Sequence, residues 1–425
     1  MGRPHLSCEE LRLDNGLRVI LHPDRRLPRV VVNLLYRVGS RDDPSDRAGL
    51  AHLLEHLMFM GTRRVPVGQF DMLMEQVGGW CNAFTSEDHT VYYEAGPARL
   101  LETLLWMEAD RMEGLGRALT ASKLDLQRDV VLNELFEGYH NRPYGVVDLE
   151  LPRLMYSPKH PYGRPIIGSE ADLRAVTVGE VRAHHARYYA PANASLVVAG
   201  DLDPRKTAAL ARRHFGWIGS GTAPARPTGR VTARRRELRR TYRDTVELPR
   251  LMLSWHSPPH FADGDAEMDL VGEILAGGKH ARLHRALVHN RRLALRVQAY
   301  QLSRQLGSQF SVVVTARSGV DPERLERQTR RELEACVTRS SGRELRRVRA
   351  RFEAEYLGGL QHLRRRAELL NLYAHVVGDR DRADTVAADL GRYRAVSVAS
   401  LRRTVERVLG QPPVVVWVLP GSGRR

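Results

Sequence analysis

The sequence predicts an α+β protein of two homologous domains, each with helices packed on a mostly antiparallel sheet, and three observations carry that expectation. The first is size: 425 residues, 42% hydrophobic and 27% charged, is about three times an ordinary domain and has enough apolar material for more than one core. The second is a stretch rich in Gly, Pro, Thr and Ala over 219–228 with neither helical nor strand periodicity, followed by the arginine-dense segment 234–240. It marks a linker over 219–244 between an N-terminal domain, 1–218, and a C-terminal domain, 245–425. The third is that the two halves repeat one order of elements.

In the first half the apolar run 30–36 reads as a buried strand, a polar loop follows, and a helix near 50–58 stops at Gly61. A strand at 90–94, helices over 98–113, 121–139 and 178–189, and a closing strand at 196–200 complete it. The second half opens with a strand at 251–255 and a helix over 268–275 that ends at Gly277 and Gly278. It continues with a strand at 310–315, helices over 323–338, 343–377 and 395–408, and a closing strand at 414–418. The interval from Val30 to Val198 nearly equals that from Leu251 to Val415, as expected of one domain duplicated and diverged. Strands and helices come in clusters rather than in strict alternation, which favours layered α+β packing over a parallel βαβ array.

Composition excludes several classes. The longest apolar runs, such as 30–35 and 412–419, fall far short of the roughly 20 residues of a membrane span, so no membrane partner is expected. The formal charge is +16, but lysine occurs only at Lys123, Lys159, Lys206 and Lys279. The positive charge is arginine scattered among acidic residues, a pattern of a solvated surface rather than a nucleic-acid footprint. Residues 1–8 lack the apolar stretch of a secretory signal. Cys8, Cys81 and Cys336 match neither a disulfide framework nor a Cys-x-x-Cys metal spacing. Together these predict a cytoplasmic protein.

The chemistry is concentrated in His52-Leu53-Leu54-Glu55-His56. On a helix His52 and His56 lie one turn apart on the same face, able to grip one ion, with Glu55 beside them. Glu55 is then placed as a general base toward an attacking water without being a ligand itself. This is the inverted order of the zinc-peptidase motif. A catalytic zinc wants three protein ligands, so an acid on a second helix is sought. Glu134, on the helix predicted over 121–139, is the candidate; Glu137, one turn on, competes with it.

Two further stretches bear on the site. Gly78 to Tyr93 combines paired glycines with a strand-like end, suited to an exposed edge that pairs with an extended peptide backbone, Phe84 offering an apolar contact. In the second half His280 and His284 are again one turn apart, but no acid stands between them and no glutamate-bearing helix matches downstream. One zinc per chain is therefore expected.

These motifs, with Leu13-Asp14-Asn15-Gly16-Leu17, Asn141-Arg142-Pro143-Tyr144-Gly145, His160-Pro161-Tyr162-Gly163 and Pro191 to Asp201, resemble the pitrilysin, insulysin and mitochondrial-processing-peptidase family of inverted zinc metallopeptidases, peptidase family M16. The resemblance is strongest to its short bacterial members and covers nearly the whole chain. It implies that His52, His56 and Glu134 bind zinc, that Glu55 activates water, and that Asn82, Ala83 and Phe84 border the scissile bond. Many relatives carry a glutamate two turns before the ligand, where this chain has Gln127. The substitution should leave the site less negative and tune it rather than abolish it.

Single-chain members of that family also carry an arginine and a tyrosine seven residues apart in the second half. The matching positions here are Val288 and Leu295, neither able to donate a hydrogen bond to a developing oxyanion. The resemblance thus implies a heterodimer in which a homologous subunit supplies the missing pair, a homodimer being the alternative. The resulting expectation is a zinc metalloendopeptidase subunit that cuts extended peptides in a chamber completed by its partner. The rival is a scaffold or peptide-binding subunit of the same fold without catalysis.

Overall fold

The computed structural model describes residues 5–339, 341–376 and 386–421. In chain order the strands are β1 (Glu9–Arg12), β2 (Arg18–Pro23), β3 (Arg29–Tyr36), β4 (Trp80–Thr85), β5 (Thr90–Pro97), β6 (Ala194–Gly200), β7 (Leu238–Asp244), β8 (Arg250–Ser257), β9 (Ala294–Leu302), β10 (Ser308–Ala316) and β11 (Val414–Pro420). The helices are α1 (Leu50–Leu57), α2 (Gln69–Gln76), α3 (Leu101–Ala118), α4 (Ala121–Leu135), α5 (Val146–Met155), α6 (Glu170–Ala175) and α7 (Val178–Tyr188). They continue as α8 (Pro204–Phe215), α9 (Asp265–Ala276), α10 (Pro322–Arg339), α11 (Gly342–Gly359), α12 (Leu363–Val376), α13 (Val386–Ala395) and α14 (Val398–Leu409).

The chain forms two sheet-plus-helix units. The first holds a six-stranded sheet of order β1-β2-β6-β3-β5-β4, the second a five-stranded sheet of order β7-β11-β8-β10-β9. In each, one neighbouring pair is parallel, β2 with β6 and β7 with β11, and the rest are antiparallel. The expected α+β class with mostly antiparallel sheets holds.

The units do not follow the linear halves 1–218 and 245–425. The first comprises Met1–Leu135, Arg164–Pro227 and Leu357–Ala387; the second comprises Phe136–Gly163, Thr228–Tyr356 and Ala388–Arg425. Residues 219–237 form no helix or strand, but 238–244 is β7, an edge strand rather than linker. The helix expected over 343–377 is broken: α11 ends at Gly358-Gly359, a turn spans 360–362, and α12 begins at Leu363. Two adjacent glycines make that break inexpensive. Residue 377 lies outside the described residues.

Each half of the chain therefore lends one helix to the other's sheet. In the second unit β8, β10 and β11 alternate: Leu251, Leu253, Val312, Val314 and Val415 enter one core, while Met252, Val313, Val414, Val416 and Val418 pack with Val147, Leu151 and Met155 of α5. In the first unit α12 takes the equivalent place, packing on β6 and β3. This explains why β3 is buried on both faces from Val30 to Tyr36 rather than alternating between buried and exposed.

A buried polar staple fixes α12. Asn371 Nδ2 donates to the Asn33 side chain (2.6 Å), the Asn33 carbonyl (3.0 Å) and the Ser195 carbonyl (3.2 Å), and Ser195 Oγ donates to Asn371 Oδ1. Removing one partner strands the others in a dry site, which costs about 1–3 kcal/mol per group. Asn371→Ala is expected to destabilise the protein by about 2–3 kcal/mol, read as a lowered midpoint in urea; an unchanged midpoint would show the staple to be dispensable.

Four imidazoles are held neutral by burial. It pushes His184 down to about 3, and His185 and His256 to about 4, with His375 well below its usual range. In the unfolded chain they protonate near pH 6.5, so the unfolded state binds more protons at any pH between the two values. Their contribution is intact above about pH 6.5 and lost progressively as pH falls toward about 4. Because buried carboxyls such as Asp43 shift stability in the opposite sense over this range, the imidazoles' share is read by difference. Chelator-treated His184→Gln should lose less thermal stability than the wild type between pH 7.5 and pH 5, and parallel profiles would contradict this.

Candidate metal centre

Helix α1 starts in a confined place. Gly49 adopts φ 93°, and a Cβ there would stand 2.7 Å from the Ile167 carbonyl oxygen. No side chain of the preceding residue can cap the helix, so Asp43 does: its carboxylate accepts from the Gly49 (2.9 Å) and Ala51 (2.8 Å) amides. Burial pushes the Asp43 carboxyl up to about 8, against the pull of those amides and of Arg164. Leu53, Leu54 and Leu57 are fully buried, which fixes the rotation of α1 and leaves His52 and His56 on its other side.

The two imidazoles lie edge to face, centroids 4.8 Å apart. Helix α4 packs on α1 and brings Glu134 to them, Oε2 lying 3.4 Å from His56 Nε2 and 3.8 Å from His52 Nε2. One ligand atom from each of the three residues lies within 4.8 Å of the other two. Ligands about 2.1 Å from a tetrahedral zinc stand about 3.4 Å from one another, so the donor set and its spacing fit that ion. His52 Nδ1 is buried without a hydrogen-bond partner, leaving Nε2 as the atom turned toward the cluster.

Electrostatics follow from burial and proximity. Burial lowers His52 to about 4, against Glu134. Burial also lowers His56, but its bond to Glu134 and the charge of Glu55 outweigh this and raise it. The His56 bond lowers Glu134 against its own partial burial. His52 and Glu134 are thus held in the forms that take a cation, a neutral imidazole and a carboxylate, whereas His56 gives up its proton when an ion binds.

Glu55 projects beside the pair and is 9% exposed. Burial raises its carboxyl, opposed by Thr85 and His56. Thr85 Oγ1 donates to Glu55 Oε2, tying α1 to the end of β4. Gln127 hydrogen-bonds His56 and donates to Met60 Sδ at 2.9 Å. Glu137, the competing acid, sits in a π-helical turn, Phe136–His140, and accepts from Asn141 at 3.0 Å.

Asn82, Ala83 and Phe84 lie on β4, the edge strand of the first sheet. Phe84 is 40% exposed, and the Ala83 amide is bonded to Asn82 Oδ1 at 2.7 Å. Val288 packs against the second core, while Leu295 on β9 is 57% exposed; neither has a polar side chain. The structure thus brings together His52, His56, Glu134, Glu55 and Gln127 and sets the strand carrying Asn82 to Phe84 against Glu55. Sequence reasoning missed Asp43 and Thr85. Strand alternation would have found Thr85, since it must point to the face opposite Phe84.

A double-layered fold of this kind with a His-x-x-Glu-His helix defines a class, and comparison with known proteins agrees. Residues 18–170 match the family model described as insulinase (peptidase family M16), and 175–352 match the peptidase M16 inactive domain. The zinc protease PqqE of Helicobacter pylori is 29% identical over 324 residues, 75% of this chain and 72% of that one. An uncharacterised zinc protease of Mycobacterium tuberculosis is 32% identical over 298 residues, 69% of this chain and 66% of that one. Among solved structures, a protease from Helicobacter pylori superposes with a TM-score of 0.89 at 26% identity, over 97% of this chain and 100% of that one. A peptidase M16 inactive domain from Pseudomonas fluorescens shares the fold, with a TM-score of 0.87 at 19% identity over 99% of each chain. The chain belongs to the M16 peptidase family.

Proposed function

We propose that this chain is the zinc-bearing subunit of a metalloendopeptidase that hydrolyses extended peptides, one zinc ion held by His52, His56 and Glu134. The observation that carries the reading is the convergence of those three donors with Glu55 alongside, bonded to the peptide-facing strand through Thr85. A zinc ion there supplies Lewis-acid polarisation of the scissile carbonyl and a water nucleophile at neutral pH. Glu55, raised by burial, accepts the proton of the attacking water and returns it to the leaving amine. Thr85 holds Glu55 in place. Substrate pairs with β4, displacing Asn82 Oδ1 from the Ala83 amide, so only an unfolded segment can enter.

Val288 and Leu295 leave no donor for the oxyanion at those positions, which supports a heterodimer in which a homologous subunit supplies an Arg and Tyr pair and encloses the chamber. No disulfide joins Cys8, Cys81 or Cys336, in keeping with a cytoplasmic location. No described helix is long and apolar enough to cross a membrane. The test is zinc analysis of the purified chain with turnover of a quenched peptide, alone and with the copurifying partner. Stoichiometric zinc and partner-stimulated turnover support the reading. Absence of zinc, or turnover indifferent to chelation, would end it.

A further inference from the structure

A second concavity stands at the far end of the edge strand. A groove of about 800 Å³ opens over the first sheet where β4 begins and α12 starts. Its floor is a cross-strand row: Val31 pairs with Ala95, and Ala95 with Trp80, so the three side chains share one face. Trp80 is 38% exposed, and the Arg364 guanidinium lies 5.8 Å from its ring and 5.5 Å from that of Tyr93.

Its charge is one-sided. Asp24 is held by Arg26 (2.7 Å) and by Arg366, and Glu368 by Arg364 (3.3 Å) and Arg365 (3.8 Å). Each carboxylate already serves two guanidiniums, while Arg29 is exposed at the start of β3 and pairs with neither. Five arginines against two carboxylates leave three formal positive charges in excess. Such an apolar floor under a basic rim suits carboxylates on an extended chain with aliphatic neighbours.

The groove continues the open strand edge. Thr85, bonded to Glu55, and Trp80 are the two ends of β4, about 17 Å apart at the usual rise of a strand. A peptide that pairs with β4 and presents its reacting bond at Glu55 therefore carries residues about five positions away past Trp80, alternate side chains turned onto the groove's face.

We propose that this groove is a subsite for Asp or Glu side chains of the substrate, about four to six residues from the cleaved bond. The proposal rests on the peptidase reading above, and the experiment separates the two. Two peptides identical except for Glu-x-Glu or Gln-x-Gln at those positions, placed on either side of the bond, are compared by turnover and by fluorescence anisotropy with metal-free protein.

The wild type should favour the Glu peptide by about 5- to 10-fold in kcat/KM, carried by KM, as expected for two partly exposed ion pairs. The preference should fade in about 0.5 M salt. In Arg29→Glu/Arg365→Glu the ratio should fall to one or below, with a melting temperature matching the wild type as the folding control. Equal treatment of the two peptides by the wild type, or a preference that survives charge reversal or salt, overturns the subsite. So does tighter groove-dependent binding of a short single-stranded oligonucleotide than of the Glu peptide. Charge-dependent anisotropy without turnover by the zinc-loaded chain together with its copurifying partner overturns only the peptidase reading.

Discussion

Glu55→Gln is expected to keep zinc in place and to lower kcat by about 10²–10⁴ in the assembled enzyme, the range a positioned general base contributes. The carboxylate is 9% exposed and anchored by Thr85, so the isosteric amide keeps the shape and the Thr85 hydrogen bond but accepts no proton. KM should change little, because Glu55 acts on the water rather than on the bound peptide. Metal content by elemental analysis and kcat by quenched-peptide turnover check both halves. Undiminished kcat at full zinc occupancy would remove Glu55 from the chemistry while leaving the metal site intact.

Glu134→Gln is expected to weaken zinc binding by more than about 100-fold, because even loss of a hydrogen-bond partner to a ligand costs about 10–100-fold. The two remaining imidazoles, 4.8 Å apart between centroids, form an incomplete set, and activity should fall with occupancy. Glu137→Gln provides the contrast: that side chain is engaged by Asn141 and its loss should leave zinc titration unchanged. A reversal of the two results would transfer the third ligand from Glu134 to Glu137.

Local patterns made much of this legible. The His52 to His56 spacing places both rings on one helical face from periodicity alone, and the halves' shared order of strands and helices is visible in their apolar runs. Spacing could not choose between Glu134 and Glu137, since both lie on one side of a helical projection. The choice depends on how α4 packs on α1 and on the π-helical turn that follows Leu135. Asp43 escaped notice because an aspartate seven positions before a helix carries no capping pattern; the loop folds it back. The division into units was least visible. Segments 136–163 and 357–387 look like ordinary parts of their own halves, and only the β8, β10 and β11 faces filled by α5, or Asn371 reaching Asn33, show where they go.

The exchange of α5 and α12 has a consequence for how the protein is made. As the chain leaves the ribosome, the first sheet is complete once β6 has emerged, yet the helix that shields one of its faces is more than 160 residues away. Until then an apolar surface centred on β3 stands open, a hazard for self-association and a reason to expect help from a chaperone. Cutting the gene between the halves should yield two insoluble fragments rather than two working modules, and soluble material should return only when both are synthesised together.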